Sequence, residues 1–172
     1  KSVEIPTQTP ALSVMHVNHG YLLFTALVEF LRKIAQVLLG IALTYAGISH
    51  LTFSRIEFQA QVPSWIPVDE DFVVLASGVV EIFLGLSLIF LWRYKSEIGW
   101  ITGIFFILIF PGNISQYANG IDAFGLDSDR ERLIRLFFQP LLVLWALWST
   151  GAWRTRRDSA SKLKHPKTNS SH

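Results

Sequence analysis

Residues 72–92 read FVVLASGVVEIFLGLSLIFLW, 21 residues holding a single charge, Glu81. A helix of that length rises about 30 Å at 1.5 Å per residue, which matches the thickness of a bilayer hydrocarbon core. Three more runs of the same kind occur: IAQVLLGIALTYAGISHLTF at 34–53, IGWITGIFFILIFPGNISQYA at 98–118 and LIRLFFQPLLVLWALWSTGAW at 133–153. None alternates apolar with polar residues at period two, so helices are preferred to barrel strands. The expectation is an all-α protein, a membrane-spanning antiparallel four-helix bundle.

Composition agrees with that reading. Of 172 residues, 51% are hydrophobic and 16% charged, against roughly 25% charged in an average soluble domain. The length alone suits one soluble domain, but the charges crowd the segments between the apolar runs. With no cysteine, disulfide relays, thiolate metal sites, Fe–S clusters and Cys nucleophiles are excluded. That count also rules out a small four-span thiol oxidoreductase of the vitamin K epoxide reductase type. The net charge of +2 comes mostly from the last 19 residues, RTRRDSASKLKHPKTNSSH. This stretch is nearly devoid of apolar residues and is expected to be disordered. A basic cluster directly after a span attracts anionic lipid, so membrane lipid is the expected partner and nucleic acid is not.

Charge also sets orientation. Lys1, Arg32, Lys33, Arg93, Lys95, Arg154, Arg156, Arg157, Lys162, Lys164 and Lys167 fall on one side, with only Arg55, Arg130 and Arg132 on the other. The positive-inside rule then places both termini in the cytoplasm. Three segments follow: a cytoplasmic N-terminal segment over 1–33, the bundle over 34–153, and the basic tail over 154–172. The N-terminal segment lacks the pattern of a signal peptide. Its apolar stretch Tyr21 to Leu31 is too short to span alone, so it either extends the first helix backwards or lies in the interface. The outer loop SRIEFQAQVPSWIPVDED, with Pro63 and Pro67 around Trp65, is expected to fold over the outer mouth.

Polar side chains inside the spans carry the functional reading, because an ionisable group at mid-membrane costs several kcal/mol and needs a partner or a purpose. From the rise per residue, Glu81 lies roughly 14 Å below the outer end of its span, Gln139 about 9 Å and Arg135 about 3 Å. On the same count His50 and Asn113 lie about 5–8 Å down. All five fall in the outer half. Ser77, Glu81 and Gly85 share one helix face, and Gly40, Gly47 and His50 form a stripe on the first span. In the third span Pro111 frees the carbonyl of Ile107 beside Gly112 and Asn113, a break tolerated where it lines a polar cavity or is satisfied by neighbours. The expected site is a cavity opening outward, lined by His50, Glu81, Asn113, Arg135 and Gln139 and roofed by Val62 to Pro67, with Trp65 over its mouth. Glu81 is the candidate proton carrier and is expected to pair with Arg135. Each residue also has a structural reading: a register-fixing ion pair for Glu81 and Arg135, an interfacial hydrogen bond for His50, interhelical contacts for Asn113 and Gln139. No second histidine lies in any span, so a bis-histidine haem is excluded and no metal is expected.

The runs AGISHLTF, VPSWIP, SGVVEIFLGLSLI, IFPGNISQYANG and RLFFQPLLVLWALW together resemble the DoxX-like family of small four-span bacterial membrane proteins. The resemblance covers about Ile34 to Trp153. One departure is Leu51-Thr52-Phe53, which delays the usual aromatic by two positions. The resemblance implies a four-helix bundle in the bacterial inner membrane and an association with redox systems. It implies an accessory or quinone-associated subunit, with a quinone as the ligand and other membrane redox subunits as partners. Two alternatives come from other classes: a small proton-coupled transporter in which Glu81 titrates, and a non-catalytic membrane scaffold.

Overall fold

The computed structural model describes residues 11–154 apart from 124, 126 and 127, with side chains from residue 20 onward. Among the described residues the chain is all-helical. Helix α1 runs Ala11–Leu51, α2 Arg55–Gln59, α3 Glu70–Phe90, α4 Lys95–Ala118 and α5 Asp129–Thr150, with a 3₁₀ turn at Trp92–Tyr94 before α4. From residue 155 onward the basic tail, and with it the expected disorder, lies outside the described residues, as do residues 1–10.

The first helix takes one of the two arrangements expected for Tyr21 to Leu31. It is continuous over 41 residues, about 60 Å at the helical rise, so Tyr21 to Leu31 extends the first helix backwards. The reason is a single helical stripe. Thr25, Glu29, Arg32, Gln36, Leu39, Leu43 and His50 recur at spacings of three, four and seven, and no proline interrupts Ala11–Leu51. Most of that stripe meets the rest of the protein. Arg32 Nε donates to the Trp148 carbonyl at 2.9 Å and Gln36 Nε2 to the Leu88 carbonyl at 2.8 Å. Each thereby supplies a last-turn carbonyl, of α5 and α3 respectively, with a partner.

The other helix ends follow from local chemistry. The Asp69 carboxylate accepts from the Phe72 amide at 3.0 Å and starts α3. Ser128 and Glu131 form a capping box at α5, satisfying two orphan amides at once. Gly151, at φ 73°, closes α5 in the left-handed region, where a side chain is strained.

Packing is pairwise. On α1 and α3, Gly40 lies against Gly85 and Gly47 against Gly78. A Cβ added at Gly47 would sit 2.5 Å from the Gly78 carbonyl oxygen, so the two backbones touch, as small-residue stripes permit. On α4 and α5, Gly99 lies against Thr150 and Gly103 against Leu147. The two pairs join through a core of Leu39, Leu43, Leu84, Leu88, Ile98, Phe106 and Ala146.

The outer surface is apolar. Large side chains such as Phe83, Phe90, Leu108 and Phe137 are exposed, a belt unlike that of a water-soluble monomer. Among the described residues three helical segments, Glu70–Phe90, Trp92–Ala118 and Asp129–Thr150, are long and apolar enough to cross a membrane, and 33% or less of each apolar window is buried. The chain has the character of a membrane protein.

Candidate functional site

Between the two helix pairs lies a cavity of about 470 Å³, within the usual range for small-molecule sites. His50, Trp65, Glu81, Asn113, Arg135 and Gln139 all line it. The remaining wall is mainly apolar, with Leu39, Leu43, Phe106, Ile109 and Leu142 among its members. The residues singled out by depth and helical spacing are thus brought together.

Two of them differ from the rest in how they are satisfied. The Gly47–Gly78 approach places His50 beside α3, and its Nε2 lies 3.6 Å from Glu81 Oε2. Both residues are almost wholly buried, with 6% of His50 and 4% of Glu81 exposed. Within the described structure His50 Nδ1 and Glu81 Oε2 have no partner at hydrogen-bond distance, and the His50 ring also faces the Val74 backbone. An unpartnered buried polar atom costs about 1–3 kcal/mol, and such atoms are uncommon enough to call for an explanation.

The other polar residues form two relays. Arg135 Nη2 donates to Gln61 Oε1 at 3.2 Å, Gln61 Nε2 to Gln116 Oε1 at 2.7 Å, and Gln116 Nε2 to the Ile121 carbonyl at 3.3 Å. Asn113 Nδ2 donates to Gln139 Oε1 at 2.9 Å, and Gln139 Nε2 to the Phe106 carbonyl at 2.6 Å. The second relay stitches α4 to α5 beside Pro111. The side-chain donor reaches Phe106 and not Ile107, one position earlier than the carbonyl expected to be freed. Pro111 itself sits inside a helix that continues to Ala118, and Pro140 sits likewise inside α5.

Two further corrections concern partners. The carboxylate of Glu81 faces His50 across α1 and α3, whereas Arg135 reaches Gln61 of the loop. The expected direct Glu81–Arg135 ion pair is therefore replaced by two separate arrangements, because the glycine register of α1 on α3 brings His50 to Glu81 first. The second correction is an omission. Gln61 and Gln116 are buried at the centre of the first relay, and sequence reasoning missed both. Gln116 had a usable signal, lying on the same face of α4 as Ile109 and Asn113. Gln61 had none, since a glutamine in a loop reads as solvated.

The roof is built from α2 and the loop that follows. Arg55 and Gln59 both donate to the Asp71 carboxylate, Gln59 at 2.5 Å, tying α2 to the start of α3. Phe58 packs its ring on the His50 imidazole. Phe58, Val62, Pro63, Trp65 and Ile66 line the cavity from this side. Among the described residues no three His, Asp or Glu side chains converge to hold a metal ion.

A family model described as a domain of unknown function, DUF8561, matches residues 39–150, the segment that contains every cavity-lining residue from Leu39 to Leu142. No curated protein and no solved structure matches the chain.

Proposed function

The chain belongs to the DUF8561 family, and from that premise we propose that it is a four-span antiparallel bundle of the bacterial inner membrane that holds a quinone headgroup in its cavity. Both termini lie in the cytoplasm and the cavity occupies the outer half, as the distribution of Lys and Arg requires. The protein serves as an accessory or quinone-associated subunit of a redox system, in keeping with its resemblance to DoxX-like proteins.

The observation that carries the reading is the buried His50–Glu81 pair on a cavity of ligand size, where His50 Nδ1 and Glu81 Oε2 have no partner at hydrogen-bond distance although the His50 ring also faces the Val74 backbone. A register-fixing polar pair would leave neither atom unmet. A headgroup bearing hydroxyl or carbonyl oxygens supplies what is missing. Arg135 and Gln139 donate hydrogen bonds to its oxygens, Glu81 exchanges a proton with it, and the apolar wall accepts the ring. Trp65 covers the mouth.

Decylubiquinone binding to the protein in lipid nanodiscs tests this. We expect saturable binding, weakened by roughly tenfold or more in Arg135→Leu and in Glu81→Leu. Binding that is absent, or as tight in the two variants as in the parent protein, overturns the reading.

Proton-coupled transport is the second reading, favoured by the pairwise packing. A Glu81 seated between two helix pairs that touch mainly within themselves is placed to titrate as the pairs rock. Proton flux in liposomes without bound quinone would favour it.

A further inference from the structure

Resting on that reading of the cavity, we propose that its ligand enters sideways from the bilayer and is a hydrocarbon-tailed amphiphile, not a water-borne solute. The water-facing end is fastened down, with Trp65, 71% exposed, over its mouth. Arg55 and Gln59 fasten α2 to Asp71, Gln61 is buried, and the roof lies so close to α4 that a Cβ at Gly112 would stand 3.2 Å from the Gln61 carbonyl oxygen. Phe58 against His50 closes the space between roof and floor.

The side is open. At one level α1 and α5 are sealed by Trp145 Nε1 donating to the Ala35 carbonyl at 3.0 Å. Two turns further along α1 stands Ala42, and two turns back along α5 stands Phe138. Both line the cavity, and Phe138 is also 57% exposed on the apolar outer surface. A residue that is at once a wall of the cavity and part of the lipid-facing belt marks a window between them. The small side chains of Ala42 and Ala46 leave that window unfilled. Through it a tail can rest in the seam between α1 and α5 while the head reaches Arg135, Gln139 and the His50–Glu81 pair. A solute without a tail would have to pass Trp65 and the fastened roof.

The absence of cysteine gives a clean background for locking either path. One double variant, Ala42→Cys with Phe138→Cys, closes the seam when bridged by a short bis-methanethiosulfonate. The other, Arg55→Cys with Asp71→Cys, holds the roof down with the same reagent. Each is compared before bridging, after bridging, and after release by reductant that is then removed. Decylubiquinone uptake is followed in nanodiscs. The seam lock should slow uptake by roughly tenfold or more, and release should restore it, while the roof lock leaves the rate within about twofold. A seam lock without effect, or a roof lock that blocks uptake, overturns lateral entry and leaves the cavity reading standing. Failure of the unbridged proteins and the parent chain alike to take up the probe removes both.

Discussion

Substituting Gly47 with alanine tests the packing that brings His50 to Glu81. The new Cβ would lie 2.5 Å from the Gly78 carbonyl oxygen and 2.9 Å from the Ile82 amide nitrogen. Both are backbone atoms and neither can rotate away. Carbon–oxygen contacts of this kind settle near roughly 3.3 Å, so α1 has to retreat from α3 by about 0.8 Å. A gap of that size forfeits about a quarter to a half of each dispersion contact along the seam, and overpacking of this type costs about 1–3 kcal/mol. Alanine's higher helix propensity returns up to about 1 kcal/mol. The net loss is about 1–2 kcal/mol, which for a chain of this size lowers the melting temperature by about 2–8 °C. Thermal unfolding in detergent, followed by helical circular dichroism, measures it. Gly20→Ala is the internal control, since a Cβ there meets nothing within 4 Å, and it should hold or slightly raise the melting temperature. If Gly47→Ala melts with or above the parent protein, the close α1–α3 contact is not what positions the site.

Three further outcomes follow from other contacts. In impermeant thiol labelling of intact cells, Asn119→Cys should react and Lys95→Cys should not; the reverse pattern overturns the orientation. Arg32→Ala removes a charged hydrogen bond to the Trp148 carbonyl and an ion pair to Glu29, so it should destabilise the fold by about 1.5–3 kcal/mol. Arg32→Lys should recover only part of this, because an ammonium cannot reproduce the guanidinium fork; full recovery would refute the capping role. Gln139→Leu leaves the Asn113 amide and the Phe106 carbonyl without their partner and should lower stability by about 1–3 kcal/mol, read by the same melts.

Helical class was legible because 72–92 and its three companion runs have one length and hold few charges. The glycine stripes at 40 and 47 and at 78 and 85 were legible as small faces, and the structure places them against each other. The polar lining of the cavity was legible through depth: His50, Glu81, Asn113, Arg135 and Gln139 all fall in the outer half of their runs, so helices that pack at all bring them near one another. Partners were not legible, because depth fixes height and not rotation. The choice of His50 over Arg135 for Glu81 depends on which face α1 turns to α3. Gln61 was hidden for a different reason. Its burial comes from a loop folding back over Gly112, and nothing local in AQVPSW requires that. The course of Tyr21 to Leu31 was left between two readings, since Glu29, Arg32 and Lys33 look like a span boundary until the contacts of Arg32 with Trp148 and of Glu29 with Arg154 are seen.

Native mass spectrometry of the protein ejected directly from its own membranes tests the central claim most directly. An adduct with the mass of an isoprenoid quinone is expected on the parent protein, lost in Arg135→Leu and Glu81→Leu while both variants remain folded. A parent protein that carries no such adduct, or variants that carry it in equal amount, would contradict the claim that His50, Glu81, Arg135 and Gln139 form a site for that ligand.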